Sequence, residues 1–135
     1  MEEKEEKSKK KLSKRELAYL FGKLAEERVS QYYLCRGFTV LERNWRMGKT
    51  EIDLIVRKDE LIIMVEVKAR GNNENDAIDA VSPDKRRRMV KAADSFLQQI
   101  EGDARYRFDV AACTGTIEDF RVEILEDAFI PTDLV

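Results

Sequence analysis

The sequence predicts an α/β domain with the element order αβββαβ and one further strand, arranged as a mixed central sheet flanked by helices. Three observations favour this class. A capped amphipathic helix comes first, three strand-like segments with hairpin-length links follow, and a second capped helix precedes the remaining strands. The 135 residues, of which 43% are hydrophobic, suffice for one buried core.

The first eleven residues, MEEKEEKSKKK, are nearly all charged and show no apolar periodicity. Such a segment cannot bury enough apolar surface to offset the entropy of ordering, so we predict a disordered charged tail over residues 1–11. A single domain is then expected over residues 12–135. The sequence has no signal-peptide pattern and no run of about 18 apolar residues, so we expect a cytoplasmic protein without a membrane partner.

The first helix is expected to begin at a capping box in which Ser13 is the N-cap and Glu16 the third helical residue. Leu12 and Leu17 occupy the positions of a hydrophobic staple, and Gly37 supplies the stop. Between them the apolar residues recur at steps of three and four, as one face of a helix requires: Ala18, Phe21, Ala25, Val29 and Tyr32.

Three strands are predicted next, over residues 38–43, 50–57 and 61–68, and they form a meander. Residues 44–49 are predicted to be the first turn, and residues 58–60 the second. The near-continuous apolar runs DLIV and LIIMV are typical of strands that are buried on both faces.

A second helix is predicted between this meander and the remaining strands. Residues 71–76, GNNEND, are expected to form a flexible loop, after which Ser82 caps the helix and Pro83 lies in its first turn. Residues 106–113 and 120–125 are predicted to be the fourth strand and an edge strand. The apolar stripe of the helix comprises Met89, Ala93, Phe96, Leu97 and Ile100.

The absence of histidine and the presence of only two cysteines exclude several chemistries. A Ser-His-Asp triad, a histidine base and a histidine-ligated metal all require histidine, and two cysteines cannot build a four-thiolate zinc site. We expect Cys35 and Cys113 to be buried thiols in a reducing compartment. Any metal ion must then be held by oxygen, which favours Mg²⁺ or Mn²⁺.

Two acidic residues, Asp53 and Glu66, interrupt strands that should pair as a hairpin, and pairing brings them near each other. Carboxylates about 4 Å apart repel by about 4 kcal/mol at an effective dielectric of 20, so a cation is needed nearby. Lys68, on the same face of its strand as Glu66, is one candidate. The other is a divalent metal ion, since magnesium sites commonly combine one or two carboxylates with water and phosphate oxygens. Alternatively, each is a solvent-facing residue of an amphipathic sheet.

Alternation along the second strand predicts which of its residues share a face. Ile52 is expected beside Leu54 and Val56 on one face of the sheet. Glu51 and Asp53 are expected together on the opposite face.

Charge is unevenly distributed along the chain, whose net charge is -2. Residues 109–135 hold seven acidic residues and one arginine, a net charge of -6, so residues 1–108 carry -2 + 6 = +4. The first part of the chain can therefore present a basic face to nucleic acid, although a charge run is more often a solvated face. Trp45 is expected to stack on an unpaired base or to pack against the first helix. The candidate phosphate contacts are Arg46, Lys49, Arg70, Lys85, Arg86, Arg87 and Arg88.

These residues together resemble a known family. Asp53, followed after a gap of twelve residues by Glu66-Val67-Lys68, is similar to the acid and ExK elements of the PD-(D/E)XK nuclease superfamily. A closer resemblance over residues 22–110 is to the YraN-like family of uncharacterised bacterial proteins, itself similar to archaeal Holliday-junction resolvases. It rests on the segments GKLAEERV, RNWR, EIDLI, VEVKAR and RFDV, on the Gly37 turn, and on AV followed by Lys85.

The resemblance implies a restriction-endonuclease-like αβββαβ core, and it implies roles residue by residue. Asp53 and Glu66 match metal ligands, and Lys68 matches the catalytic lysine. Glu51 falls where the family has the acid of its EID motif, a further ligand. Glu26 corresponds to the family's AE glutamate, which would complete the site, and an ordinary solvated position at the helix border is the alternative for it.

The implied function is hydrolysis of DNA phosphodiester bonds with Mg²⁺ or Mn²⁺, with branched DNA such as a Holliday junction among the candidate substrates. RNA is not excluded as a substrate, and a homodimer is the implied oligomeric state. The alternative from another class is a module of the same fold that binds nucleic acid or a protein with little or no turnover.

Overall fold

The computed structural model describes residues 11–70 and 82–128. The predicted loop at residues 71–76 and residues 1–10 of the predicted tail lie outside these ranges. Neither helix in the described ranges is long and apolar enough to cross a membrane. The elements follow the predicted order and include the additional strand: α1 (Lys14–Leu34), β1 (Thr39–Met47), β2 (Thr50–Lys58), β3 (Leu61–Arg70), α2 (Pro83–Leu97), β4 (Arg105–Gly115) and β5 (Phe120–Leu125).

The five strands form one sheet in the order β1-β2-β3-β4-β5. All neighbouring strands are antiparallel except β3 and β4, which run parallel. A parallel pair needs a crossover connection, and α2 lies between β3 and β4 along the chain. The predicted mixed sheet and the edge position of β5 are therefore confirmed.

Each face of the sheet is covered by one helix. Met64 of β3 packs with Phe96 of α2, whereas its neighbour Val65 packs on the other face with Val29 of α1. These side chains are almost fully buried, and burial of each contributes about 1.5–3 kcal/mol. The apolar run of β3 follows from this arrangement, because both of its faces are covered.

Helix α1 begins at the predicted capping box. The Ser13 hydroxyl accepts from the Glu16 backbone N–H at 3.1 Å, and the Glu16 carboxylate accepts from the Ser13 N–H at 3.3 Å. The aromatic residue that the helix buries is Tyr33, which is 1% exposed, whereas the predicted Tyr32 is only half-buried. The apolar stripe is thus displaced by one residue at its end.

The first strand is longer than predicted. Residues 44–47, which were expected in a turn, continue β1, and the turn itself comprises only Gly48 and Lys49. Asn44 has φ 49°, in the left-handed region that asparagine adopts more readily than most residues. The strand therefore continues through a residue type that usually marks a turn.

Alternation fails in β2 next to Asp53. Ile52 packs with Ile55 on the face covered by α2, whereas Leu54 and Val56 pack on the face covered by α1. The prediction that Ile52 shares a face with Leu54 and Val56 is therefore wrong. The paired register between β2 and β3 ends at Leu54, so the strand can twist beyond that point.

Three smaller predictions are also wrong. Cys35 is exposed at the end of α1, because only the inward-facing side of that helix meets the sheet; Cys113 is buried as expected. Trp45 packs edge-to-face on Phe96, with ring centroids 5.3 Å apart, so it contacts the second helix rather than the first. Helix α2 ends at Leu97, and Ile100 follows in the next turn, where it still packs against the core.

Candidate functional site

Asp53 lies where β2 separates from β3. Its Oδ2 atom accepts a hydrogen bond from the Val67 backbone N–H at 2.8 Å. A side-chain oxygen therefore satisfies an amide in the part of β3 that β2 no longer pairs. Because Val67 follows Glu66, this bond holds the Asp53 carboxylate in the neighbourhood of Glu66 that the predicted hairpin requires.

Glu66 is a buried carboxylate, 3% exposed, at the centre of the site. Its Oε1 atom accepts from Lys68 Nζ at 3.2 Å and from Lys85 Nζ at 2.5 Å. Its Oε2 atom is buried and has no hydrogen-bond partner among the residues that the structure describes. An unsatisfied buried oxygen of a charged group is costly, about 1–3 kcal/mol or more, so this atom is suited to accept a bond from a ligand.

The two lysines reach Glu66 from different elements. Lys68 lies two residues further along β3, so alternation places it on the face of Glu66. Lys85 lies in the first turn of α2. Ser82 is the N-cap of this helix, and its hydroxyl accepts the Lys85 backbone N–H at 3.2 Å. Pro83 follows as the first helical residue. The packing of α2 on the sheet therefore brings the second ammonium to the carboxylate.

The surroundings of Asp53 disfavour its charged form. Burial contributes most and the negative charge of Glu66 next, and together they raise the pKa of Asp53 to about 7, although the Val67 N–H acts in the opposite direction. The charges of Glu26 and Glu51 raise it further. Within residues 11–70 and 82–128, no three acidic or thiol side chains are arranged to hold a metal ion together. In this part of the chain, a cation beside Asp53 and Glu66 would therefore have these two carboxylates as its acidic ligands.

The two ammonium groups respond differently to the same carboxylate. The pKa of Lys68 is lowered, chiefly by burial. The charge of Glu66 acts to raise this pKa, whereas the neighbouring Lys85 lowers it further. For Lys85, burial also acts downward, but the hydrogen bond and the charge of Glu66 outweigh it and raise the pKa. Lys68 is therefore the lysine from which a proton is more readily removed.

Glu26 and Glu51 lie around the Asp53–Glu66 pair and bind other side chains. Glu26 Oε2 lies 3.5 Å from Lys23 Nζ, and Glu51 Oε2 lies 3.2 Å from an Arg46 guanidinium nitrogen. Glu26 and Asp53 both line a cavity of about 200 Å³ between α1 and β2. Both glutamates contribute to the electrostatics of Asp53, whereas neither contacts Glu66 through a hydrogen bond or ion pair that we identify in the described residues.

The basic residues predicted to contact phosphate are dispersed. Lys85 lies within the site on Glu66, and Arg46 is paired with Glu51. Arg87 reaches the exposed Asp84 at 3.0 Å on the surface of α2. The others are Lys49 in the β1–β2 turn, Arg70 at the end of β3, and Arg86 and Arg88 on α2, of which all but the half-buried Arg86 are exposed.

Sequence reasoning did not anticipate the contact between Lys85 and Glu66. It placed Lys85 correctly in the first turn of the second helix, but a contact with β3 depends on how α2 lies across the sheet. The available signal was electrostatic, since a buried Glu66 beside Asp53 requires more positive charge than Lys68 alone provides.

A second buried polar cluster, also not anticipated, lies on the opposite face of the sheet. Asp109 of β4 is fully buried and accepts from the Tyr33 hydroxyl at 2.7 Å. It also accepts from the Arg107 guanidinium at 3.0 Å and from the Asp127 backbone N–H at 3.0 Å. The sequence feature that could have indicated this cluster is Asp109 itself, a charged residue within the otherwise apolar strand segment FDVAAC. The cluster joins α1, β4 and the chain after β5, and its contacts are structural.

The mixed five-stranded sheet, the helix on each face and the αβββαβ order define an α/β protein of the restriction-endonuclease-like fold group. Residues 25–113 match the family described as Uncharacterised protein family UPF0102. A match over this share of the chain shows that the protein belongs to the UPF0102 family, the YraN family that the sequence resembles.

Individual relatives show similar coverage. A UPF0102 protein of Phocaeicola vulgatus is 35% identical over 112 residues, which cover 82% of this chain and 93% of the relative. A UPF0102 protein of Desulforapulum autotrophicum is 38% identical over 111 residues, with 80% and 91% of the two chains covered. A UPF0102 protein of Chloroherpeton thalassium is 40% identical over 94 residues, with 68% and 73% covered.

Proposed function

We propose that this protein is a metal-dependent nuclease that hydrolyses phosphodiester bonds of DNA, with Asp53, Glu66 and Lys68 as its catalytic residues. The observation that carries the proposal is the buried Glu66 Oε2 atom, which lacks a partner within residues 11–70 and 82–128, on a carboxylate that also binds Lys68. Membership of an uncharacterised family leaves the activity open, so the proposal rests on this arrangement.

The donor set fits a hard divalent cation. Glu66 Oε2 lacks a partner in the described part of the chain, Asp53 is held beside Glu66 by Val67, and carboxylate oxygens are the ligands that Mg²⁺ and Mn²⁺ prefer. Two carboxylates are as many as a magnesium site commonly takes from the protein, with water and substrate phosphate supplying the rest. When bound, Mg²⁺ or Mn²⁺ would polarise the scissile phosphate and lower the pKa of the attacking water.

The chain's own residues would then perform distinct tasks. Asp53 and Glu66 would supply the carboxylate oxygens that hold the metal, and the Val67 N–H keeps Asp53 in place. Lys68 Nζ, anchored on Glu66 Oε1, orients the attacking water or stabilises the negative charge that develops on the phosphoryl oxygens. In the reaction, the water oxygen bonds to phosphorus and loses a proton to the solvent. The phosphorus–oxygen bond to the leaving nucleotide breaks, and the leaving oxygen takes a proton from the solvent.

The test is a cleavage assay with purified protein on single-stranded, duplex and four-way-junction DNA and on RNA, in Mg²⁺, Mn²⁺ or EDTA. We expect metal-dependent DNA cleavage that is lost in Asp53→Asn. The matched control is Asp59→Asn, which neutralises an exposed acid in the β2–β3 turn where asparagine tolerates the φ of 54°. DNA binding without cleavage by the parent in either metal would overturn the proposal in favour of a binding module, and cleavage of RNA alone would overturn the DNA assignment.

A further inference from the structure

One carboxylate oxygen in this site is shared by two ammonium groups. Lys68 Nζ and Lys85 Nζ lie 3.2 and 2.5 Å from the same Glu66 Oε1 atom, while Oε2 of that carboxylate has no partner among the described side chains and amides. Two lysines therefore compensate one buried carboxylate. The Lys85 ammonium also interacts electrostatically with the Asp53 carboxylate, whose own hydrogen bond is to a neutral amide.

The two lysines differ in side-chain exposure and in the element that carries them. Lys68 lies on β3 at a position that pairs with β4, and its side chain is 16% exposed. Lys85 lies in the first turn of α2, and its side chain is 29% exposed. Helix α2 does not depend on that side chain, because Ser82 caps it and Phe96 helps anchor its apolar stripe in the core. The Lys85 ammonium can therefore move away while the backbone around it stays in place.

From this asymmetry we propose that Lys85 is the resident counter-cation of the metal-free site, and that a divalent ion bound by Glu66 Oε2 and Asp53 displaces it. A doubly charged ion within a few ångströms of two ammonium groups is repelled by both. The ammonium that leaves is that of Lys85, whose side chain is the more exposed of the two. This inference depends on the metal site of the proposed function and assigns Lys85 a role in setting metal affinity.

Displacement also explains how a residue paired with Glu66 can serve a nucleic-acid substrate. Once released, the Lys85 ammonium becomes available to a phosphate oxygen, the role that its position at the start of the helix predicts. Metal loading and substrate contact are then coupled through one side chain.

The test measures Mn²⁺ affinity by calorimetric titration and thermal stability in EDTA for the full chain and its variants. Lys85→Met removes the competing charge, so we expect Mn²⁺ to bind about fivefold more tightly, the equivalent of about 1 kcal/mol for a partly exposed ion pair. The melting temperature in EDTA should fall, because Glu66 loses one of its two partners. Lys91→Met, at an exposed position of the same helix, should change neither quantity.

Lys85→Arg is the second variant, and because it keeps the positive charge its Mn²⁺ affinity should stay within about twofold of the parent. Unchanged or weaker Mn²⁺ binding by Lys85→Met overturns the inference, as does equal tightening in Lys85→Arg. A parent protein that binds no Mn²⁺ overturns both the inference and the nuclease proposal. Tighter binding by Lys85→Met, together with a parent that cleaves nothing, supports the inference and contradicts only the nuclease proposal.

Discussion

The Asp53 carboxylate accepts the backbone N–H of Val67 at 2.8 Å, at the point where β2 leaves β3. This bond does two things at once. It satisfies the Val67 amide on the side of β3 that β2 no longer pairs, and it fixes the Asp53 carboxylate beside the buried Glu66. The two carboxylates therefore lie together where the pairing of β2 with β3 ends.

The surroundings of Asp53 predict how stability depends on pH. Burial and the Glu66 charge raise its pKa to about 7 in the folded chain, against about 3.9 in an unfolded chain. The folded state therefore binds more protons between these values, so stability falls as the pH rises from about 4 to about 7. Asp53→Asn should remove this loss. The free energy of unfolding of the variant, relative to that of the parent, should therefore rise by on the order of 2 to 4 kcal/mol between pH 4.5 and pH 8.

Urea unfolding in EDTA at the two pH values measures this difference directly. Asp59→Asn, the exposed control, should retain the pH dependence of the parent. The same pH dependence in Asp53→Asn and the parent would show that Asp53 is not the group responsible.

Lys68→Met should separate metal binding from catalysis. The carboxylates that would hold the metal remain, so the rise in melting temperature caused by Mg²⁺ or Mn²⁺ should persist while cleavage is lost. Thermal melts with and without metal, run beside the cleavage assay, test both parts. A Lys68→Met protein without any metal response would assign Lys68 to metal binding instead.

Arg87 and Arg88 test the phosphate contacts predicted for the start of α2. Both side chains are exposed, and the partner of Arg87 is the exposed Asp84, so the double change to glutamine should leave the melting temperature nearly unchanged. If each contacts one phosphate, the slope of log affinity against log salt concentration should fall by about 1.8. Equal slopes for the variant and the parent would place these arginines outside the interface.

The buried Asp109 predicts a stability effect on the other face of the sheet. Tyr33→Phe removes the hydroxyl that donates to Asp109 at 2.7 Å, so the free energy of unfolding should fall by about 1–3 kcal/mol. Tyr19→Phe, at a position 68% exposed, is the matched control and should be close to neutral. A neutral Tyr33→Phe would show that Arg107 and the Asp127 amide satisfy Asp109 without it.

The two cysteines should react at very different rates. Cys35 is exposed, whereas Cys113 is buried and burial raises its pKa to about 11, which leaves little reactive thiolate at pH 8. A thiol reagent added to the native protein should label Cys35 rapidly and Cys113 only on unfolding. Rapid labelling that survives Cys35→Ser would contradict this placement.

Local signals in the sequence predicted most of the fold. The Ser13 and Ser82 caps mark where both helices begin, and the apolar runs of β2 and β3 indicate strands covered on two faces. These features depend on residues close together in the chain, so the element order could be derived from them.

What the sequence could not predict depends on distant contacts. The left-handed conformation of Asn44 lets β1 continue where a turn was expected, and Ile52 changes face because β2 stops pairing with β3. The same limit applies to the candidate site. The proximity of Asp53 to Glu66 follows from a hairpin, whereas the contact of Lys85 with Glu66 requires knowledge of how α2 crosses the sheet.

The most direct test of the proposed nuclease is the rate at which the parent and Glu66→Gln cleave junction and duplex DNA in Mn²⁺ at equal protein concentration. DNA binding is measured on the same samples. Our prediction is metal-dependent cleavage by the parent and a rate at least about a hundredfold lower for Glu66→Gln, with binding retained. Cleavage by Glu66→Gln at the parental rate, or a parental rate that EDTA does not reduce, would contradict it.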